Sequence, residues 1–501
     1  MFVRKKKNSS GSVSIQIIKK INRSNKVIKT IGSSSVPEEI EALYLKALYE
    51  LPRLYGATLF DSFEEPKLSE LSNDNIRVTG PEFVFGRIFD HIGFNQVKDS
   101  LFRDLSISRI THPGSKLKLS EYLRDNNRED ISADRIYYFL DRLNSRHKQQ
   151  VEQISFDYTK RLLGGTIGVV FYDMTTIYFE SSQPDEFRET GFSKEGKHQH
   201  PQIYLGLLVG QDGYPIGYDI FEGGIYEGHT FIPVLEKFEA RFDLQKPTVV
   251  ADAGLLSSDN IKALTGKGYK YILGARIKNE SNSVKEQILI TGWVEGQIKA
   301  ISKPDQTTLY VSYSGKRAAK DASNRERGLK RLEKNLKSGK LTKSSINNRG
   351  YNKYLKLHGE IKIEIDYRKF ELDSQWDGLK GYLTNTSLTG KEVIEVYNNL
   401  WKIERAFRIS KTDLKIRPIY HRLRKRIEAH ICISFVSYLM YKELERVLSE
   451  SDSGISIKKA INSINKMYEI VLEDKNGNQK SILLKKNAVQ QEITEIIHHF
   501  Y

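Results

Sequence analysis

Apolar and polar residues change period several times along this chain, and each change marks a predicted element. Val13, Ile15 and Ile17 alternate with polar neighbours, a turn falls at Asn22, Arg23, Ser24 and Asn25, and Val27 to Ile31 follow, which predicts a hairpin. Ser35, Pro37, Glu38 and Glu39 read as a cap and first turn, so a helix is expected from there to about Glu50, stopped by Pro52. From about 80 to 160 the period is helical. Two segments stand out, 117–126 and a helix from Ser132 with Ile136, Phe139, Leu140 and Leu143 on its apolar face. Arg124, Arg128, Arg135 and Arg142 surround the turn between them. The pair reads either as a helix-turn-helix or as two helices joined by a loop.

From about 165 the pattern becomes that of strands. Gly168 to Tyr172 is an unbroken apolar run ending at Asp173, as a buried strand would be. Strands at 202–209 and 215–221, a helix at 230–242, a strand Thr248 to Ala251 ending at Asp252, a helix at 258–265 and a strand at 269–275 follow. Three antiparallel strands, a helix, then a parallel strand and helix predict an α/β layer of ribonuclease H-like type. Residues 277–376 interrupt it as an insertion, with short strands expected at 288–293, 308–313 and 361–367. A very basic helix is expected at 316–337, with Ala318, Ala322, Leu329, Leu332 and Leu336 on one side. A helical pattern resumes at Val393 and runs through Glu404 to Lys411, another covers 427–444, and residues 446–501 read as a polar tail that could serve dimerisation. No internal repeat is visible. The domain reading is therefore 1–160, a core in two parts (165–276 and 377–445), the insertion, and the tail.

Composition adds a partner. The chain has 501 residues, enough for about two to four domains, and 39% hydrophobic residues, which argues against global disorder. Lys and Arg number 79 against 63 Asp and Glu, a net charge of +16 spread along the chain. A polyanion such as double-stranded DNA is the expected partner, because nucleic-acid affinity comes largely from neutralised phosphates; a merely basic protein is the plainer alternative. Cys432 is the single cysteine, so no internal disulfide and no Cys-based zinc site can form. The basic start (Arg4, Lys5, Lys6, Lys7) runs into Asn8, Ser9 and Ser10 rather than an apolar core, so no secretory leader is expected there. No stretch reaches the ~20 apolar residues of a membrane span, and the expected location is the cytoplasm, on the nucleoid when bound to DNA.

Asp173 and Asp252 each end an apolar strand, and ligands gather at the carboxyl ends of such strands. Singly, each is as readily a turn or cap residue. Tyr397, Glu404 and Lys411 are spaced by seven and seven, nearly two helical turns each, which would stack them on one stripe. A salt bridge from Glu404 to Arg405 or Arg408 is the plainer reading. Three carboxylates on a basic surface suit two Mg²⁺ ions, with Mn²⁺ as a substitute, for phosphodiester chemistry. His198 and His200 form an H-x-H with no evident third ligand. Trp401 could brace an unstacked base or simply pack in a core.

The run Tyr172-Asp173-Met174-Thr175-Thr176-Ile177-Tyr178-Phe179-Glu180 resembles the first-aspartate motif of bacterial insertion-sequence DDE transposases. Gly191-Phe192-Ser193-Lys194, Pro201-Gln202 with Gly206-Leu207, Gly213-Tyr214-Pro215 and Phe221-Glu222-Gly223-Gly224 with Thr230 are similar to segments that follow it. Val250-Ala251-Asp252-Ala253-Gly254 resembles the second-aspartate segment, and Asp377-Gly378 through Leu383-Thr384-Asn385 the strand before the last catalytic helix. That helix, from Tyr397 through Trp401, Glu404, Arg405 and Arg408 to Lys411, looks like the Tyr-Arg-Glu-Lys signature. Arg417-Pro418-Ile419-Tyr420-His421 and Arg426-Ile427-Glu428-Ala429-His430 match the segment after it. The resemblance spans about 165–445 and departs at Leu400, where the family pattern places arginine; Lys402 or Arg405 are candidate substitutes.

The resemblance implies a transposase whose Asp173, Asp252 and Glu404 bind the metals. Tyr397, Lys411, Arg405, Arg408 and Trp401 would contact DNA. It further implies excision through a hairpin on the element end, joining of 3′ ends to target DNA, end recognition by the first ~160 residues, a mainly β insertion that handles DNA, and a homodimer on DNA. A ribonuclease H-like nuclease that cuts without joining, and an idle transposase-derived DNA-binding protein, are the alternatives.

Overall fold

The computed structural model describes residues 1–21, 24–54, 72, 75–127, 131–180, 183–191, 193, 196–225, 227–242, 245–255, 257–347, 350–358, 362–473 and 479–501. Asn22, Arg23, Arg128, Phe192, Lys194 and Ile361, on which expectations above rest, lie outside the described residues. The chain divides into two compact units, Met1–Ile76 with Glu469–Leu483, and Arg77–Tyr468 with Leu484–Tyr501.

In the first unit the expected hairpin is an antiparallel sheet of three strands, β1 (Phe2–Lys7), β2 (Val13–Ile21) and β3 (Ser24–Ser34), with helix α1 (Pro37–Leu54). The basic start is thus an edge strand, and Lys5 is held by α1: its amine lies 2.7 Å from Glu41 and 4.4 Å over the Tyr44 ring. Alternation buries Ile15 and Ile17 with Ala47 in a small core. Pro52 does not end α1, which runs on to Leu54; a proline in a last turn removes a single intrahelical bond.

The second unit opens with β4 (Ile76–Val78) and the helices α2 (Gly80–Ile92), α3 (Ser100–Thr111), α4 (Lys116–Asn127), α5 (Ala133–Arg142) and α6 (Lys148–Leu162). The Ser132 side chain caps α5 by accepting from the Arg135 amide, as its position predicts. The layer that follows contains β5 (Val169–Tyr178), β6 (Gln202–Val209), β7 (Pro215–Glu222), α7 (Phe231–Phe242), β8 (Thr248–Ala251), α8 (Ser258–Gly266) and β9 (Lys270–Ala275). Next come α9 (Asn282–Leu289), β10 (Ile298–Ser302), β11 (Thr308–Tyr313), α10 (Gly315–Lys337), β12 (Leu355–His358), β13 (Lys362–Ile365) and α11 (Tyr367–Ser374). The remainder of this unit is β14 (Leu379–Thr384), α12 (Gly390–Asn398), α13 (Trp401–Thr412), α14 (Arg424–Glu450), α15 (Ile457–Ile464) and α16 (Ala488–Phe500), while β15 (Tyr468–Glu473), but for Tyr468, and β16 (Gln479–Leu483) belong to the first unit.

The fold is mixed α/β around an eight-stranded sheet in the order β10-β11-β14-β9-β8-β5-β6-β7. β5, β8 and β9 run parallel; the other pairs are antiparallel. One face carries Phe171, Ile177, Val250, Ile272 and Tyr382 into a core shared with α12, α13 and the long buried α14. The opposite face carries Val170, Tyr172, Val249, Tyr271 and Leu273 into a second core under α7 and α8. Burial on both faces is why these strands read as continuous apolar runs.

Several expectations are corrected. β5 does not stop at Asp173 but continues to Tyr178, because β6 pairs with it along its whole second half. The strand expected at 288–293 is the end of α9 and a turn, with Ile288 buried as a helical residue and Ile290 80% exposed. The interruption at 277–376 is not mainly β: it holds the 23-residue α10, and its β10 and β11 join the central sheet by antiparallel pairing of β11 with β14. Leu332 of α10 packs with Tyr354, Leu355 and Ile365 in a separate small core. The polar tail is structured as well. Its alternation was hidden by exposed lysines, yet Ala460, Ile464, Ile493 and Ile497 are buried in the same core as α14. Among the described residues no helix is long and apolar enough to cross a membrane.

Candidate active site

The β5–β8 ladder ends at the pair Tyr172 and Ala251, so Asp173 and Asp252 are the next residues on two neighbouring parallel strands. Alternation places Asp173 on the face of Phe171 and Asp252 on the face of Val250, both toward α12 and α13. Gly274, two residues past Ile272 on β9, and Lys380, two before Tyr382 on β14, fall on that face too. Asp173 is half-buried and its Oδ1 accepts from the Met174 amide at 2.7 Å. Asp252 is exposed and its Oδ1 accepts from the Gly254 amide. Both carboxylates thus have one oxygen turned to backbone. Among the described residues no three His, Cys, Asp or Glu side chains stand close enough together to hold an ion.

Tyr397 and Glu404 do not share one continuous helix. α12 ends at Asn398 and α13 begins at Trp401, joined by bonds from Leu400 N to Tyr397 O (2.9 Å) and from Ile403 N to Leu400 O (3.2 Å). Those three-residue turns advance the helical phase, so the stripe expected from the spacing is broken between residues 397 and 404. Tyr397 is buried against the sheet, whereas Glu404 is exposed in the first turn of α13. Thr389 caps α12 reciprocally with Glu392, which fixes where that helix starts. Leu400 is buried in the core, which accounts physically for an apolar residue at the one position where the signature departs.

The Tyr397 hydroxyl is seated where only glycine fits beneath it. A Cβ built on Gly274 would lie 2.5 Å from that hydroxyl and 3.0 Å from the Ala253 amide nitrogen, next to Asp252. Burial first, then the nearby Asp252 charge, push the Tyr397 hydroxyl well above its ordinary range, and the Glu404 charge acts in the same sense. Tyr382 meets Tyr397 edge to face, with ring centroids 5.0 Å apart.

The neighbouring cations are not the ones the sequence suggested. Lys380 has its amine 4.4 Å from the Tyr397 ring centroid, and burial holds it below the ordinary lysine value despite the Glu404 charge. Arg317 of α10 bears electrostatically on Lys380, Tyr382 and Tyr397 alike. Only the strand register, with Lys380 two residues from Tyr382, could have pointed to Lys380; Arg317 comes from the interruption and left no signal in the sequence. Arg405 does not face this site but is ion-paired with Glu445 of α14. Lys402 donates to the Gln211 carbonyl at 2.6 Å. Neither of the substitutes suggested for the missing arginine is therefore placed beside Tyr397. Arg408 is exposed, Trp401 is 50% exposed rather than a core residue, and Lys411 is half-buried in the last turn of α13, two turns from Glu404. His198 and His200 serve the local backbone: the His198 Nδ1 accepts from the Ser193 amide and the His200 Nδ1 lies 3.2 Å from the Phe179 carbonyl oxygen.

The donor set on this face (two aspartates, a glutamate and a phenol, without cysteine or histidine) is hard oxygen chemistry suited to Mg²⁺ or Mn²⁺ rather than to zinc.

Among solved structures, the chain is similar to piggyBac transposase in its synaptic complex with hairpin DNA, with a TM-score of 0.40 and 10% identity over 77% of this chain and 76% of that one. It is also similar to Mos1 transposase in its paired-end complex with the left transposon end, with a TM-score of 0.16 and 10% identity over 48% and 68%. A third likeness is to the Mos1 mariner paired-end complex with Mn, with a TM-score of 0.15 and 11% identity over 47% and 70%. No curated protein matches. The family described as Transposase DDE domain matches residues 164–440, from just before β5 into α14. That match takes in Asp173, Asp252, Tyr397 and Glu404 and more than half of the sequence, and the chain belongs to the Transposase DDE domain family.

Proposed function

We propose that this chain is an active transposase that binds the ends of a mobile element as a homodimer, cleaves them, and joins the 3′ ends to target DNA. The observation that carries the reading is the placement of Asp173 and Asp252 side by side past the last paired residues of β5 and β8, on the face covered by the helix of Glu404. Asp173, Asp252 and Glu404 would hold two divalent ions, Mg²⁺ or Mn²⁺. When bound, such ions supply positive charge to phosphoryl oxygens and lower the pKa of water.

The chain's own residues do the rest. Tyr397, seated against Gly274, presents a neutral hydroxyl at neutral pH and so a donor to a phosphate of the cleaved end. Lys380 and Lys411 neutralise phosphates on either side, and Arg408 and Trp401, both exposed, extend the surface along α13. Excision through a hairpin on the element end is part of this proposal.

The experiment is cleavage and strand transfer with Mg²⁺ on DNA carrying the flanking inverted repeats, comparing wild type with Asp252→Ala. Joined products that vanish in the variant support the reading. Cleavage without joining would make the protein a nuclease, and binding alone an idle DNA-binding protein.

A further inference from the structure

On the same unit, but away from the carboxylates, a cavity of about 530 Å³ opens between the end of α3, the start of α4, residues 415–421 and α14. Its charged and polar lining includes Arg109, Ser115, Lys116, Arg417, His421 and His430, and among the described residues no aspartate or glutamate lines it. Arg109, Lys116, His421 and His430 are only 5, 6, 8 and 5% exposed. Asp141 bears on His421, and it is taken by Lys425 at 3.0 Å and Arg426 at 2.8 Å.

The cluster is arranged rather than accidental. The His430 Nε2 lies 2.9 Å from the Ile416 carbonyl, so it carries the proton and donates there. Nδ1 is then the acceptor facing the Arg109 guanidinium at 3.3 Å, and a neutral His430 orients Arg109. Among the described residues Arg109 otherwise reaches only the Lys415 carbonyl, at 3.5 Å. Among the described residues no hydrogen bond or ion pair uses the Lys116 amine. Lys116 is also the first residue of α4, whose Ser115 hydroxyl accepts from the Lys118 amide at 3.3 Å, so the start of that helix opens on the cavity. Burial, joined by the Arg109 charge, pushes the Lys116 amine far down, and burial with Lys116 and Arg109 pushes His421 to about 3. Buried cations without a carboxylate are expensive, and an anion relieves them all together.

We propose that this cavity is a phosphate-binding site, and that the phosphate it takes is a backbone diester of DNA. An arginine fork, a lysine and a helix N-terminus converge as they do where several oxygens of one phosphate are held at once. Its position favours DNA as the source. Ile419 bridges to Phe179 at the end of β5, with the Ile419 amide donating to Tyr178 at 3.2 Å. That strand also carries Asp173, six residues away, or about 20 Å at ~3.3 Å per residue. A duplex reaching the carboxylates therefore has phosphates within range of the cavity. The choice of DNA rests on the function proposed above; phosphate binding itself does not.

The test is thermal unfolding of the full chain in inorganic phosphate against chloride at equal ionic strength, for wild type, Lys116→Met and Lys116→Arg. Phosphate should raise the wild-type midpoint by roughly 2–4 °C or more. Lys116→Met should unfold at or above the wild-type temperature in chloride and lose the phosphate response, and Lys116→Arg should keep it. A duplex binding assay supplies the second arm. Lys116→Met should weaken duplex affinity about tenfold and reduce the salt slope by about one phosphate. A phosphate response lost in Lys116→Met with duplex affinity unchanged would overturn DNA as the source and leave a free phosphate. A full response in Lys116→Met, or none in wild type, would overturn the site, whatever the cleavage assay shows.

Discussion

Asp173 and Asp252 occupy equivalent places on two adjacent parallel strands, each one residue past the last rung of the ladder that joins them. Strands whose pairing ends at that point leave room between two carboxylates on one face, and one oxygen of each accepts from backbone, from the Met174 amide and from the Gly254 amide.

If these carboxylates hold the ions, Asp173→Ala, Asp252→Ala and Glu404→Ala should each reduce cleavage by on the order of 10²–10³ or more, as loss of a principal charge-stabilising group does. None should weaken binding to uncleaved ends substantially. Chelation should act like the substitutions, and Mn²⁺ should restore activity. Gel-shift titration beside a cleavage time course checks this, and a variant that still cleaves at the wild-type rate removes its residue from the site.

Much of this face was legible in the chain and some was not, for identifiable reasons. Strands buried on both sides announce themselves as apolar runs, so β5, β6 and β8 are legible in the pattern, which also places Asp173 and Asp252 at two such runs without assigning either a role. The spacing of Tyr397 and Glu404 does not translate into one stripe because a tightened turn at Asn399 and Leu400 shifts helical phase without changing the residue count. Residues 446–501 look like a tail because the buried stripe of α16 mixes Ile493, Ile496 and Ile497 with the polar Gln490 and Thr494. Long-range pairing was invisible altogether: nothing local tells that β11 joins β14, or that Arg405 is matched to Glu445, 40 residues on.

Gly274→Ala should disturb the site without unfolding the protein. The added Cβ would meet the Tyr397 hydroxyl and the Ala253 amide, and the tyrosine can move away while backbone cannot. Activity should fall at least as far as in Tyr397→Phe, which removes only the hydroxyl. The double variant Gly274→Ala with Tyr397→Phe should recover part of the loss, since the phenylalanine ring ends one atom short of the contact. Cleavage rates of the four proteins decide it, and strictly additive losses would show that Gly274 acts elsewhere.

Glu443 of α14 is a buried carboxylate with 0% side-chain exposure. It accepts from Arg446 at 2.5 Å, Tyr214 at 2.8 Å and Tyr501 at 2.6 Å. Burial pushes its pKa up, but hydrogen bonds from Arg446 and Tyr501 outweigh it and hold Glu443 below the ordinary value. A depressed carboxylate contributes stability that is present above its unfolded value, near 4.3, and is lost as pH falls through the folded value. Wild type should therefore lose stability steeply below about pH 4, and Glu443→Gln should lose less over that range. At neutral pH the variant should be less stable by about 3 kcal/mol, because a buried ion pair has lost one partner. Urea unfolding from pH 3 to 7 measures both, and parallel pH profiles would exclude the assignment.

Lys380 and Arg405 separate cations that serve DNA from cations that serve the fold. Lys380 stands over Tyr397 and Tyr382, at 4.4 and 5.2 Å from their ring centroids, on the face that carries the carboxylates. Arg405 is spent on Glu445, which also holds Lys442 at 2.6 Å. Lys380→Gln should weaken binding of the cleaved end and lower the salt slope by about one, because one phosphate contact disappears. Arg405→Ala should leave DNA affinity and its salt slope unchanged and cost about 1 kcal/mol of stability, since Glu445 keeps Lys442 as a partner. Arg408→Ala, on the exposed side of the same helix, should behave as Lys380→Gln does. Salt titrations of duplex binding, run beside unfolding curves, distinguish the two classes. A salt-slope change in Arg405→Ala equal to that in Lys380→Gln would return Arg405 to the DNA-binding surface where its place in the signature first put it.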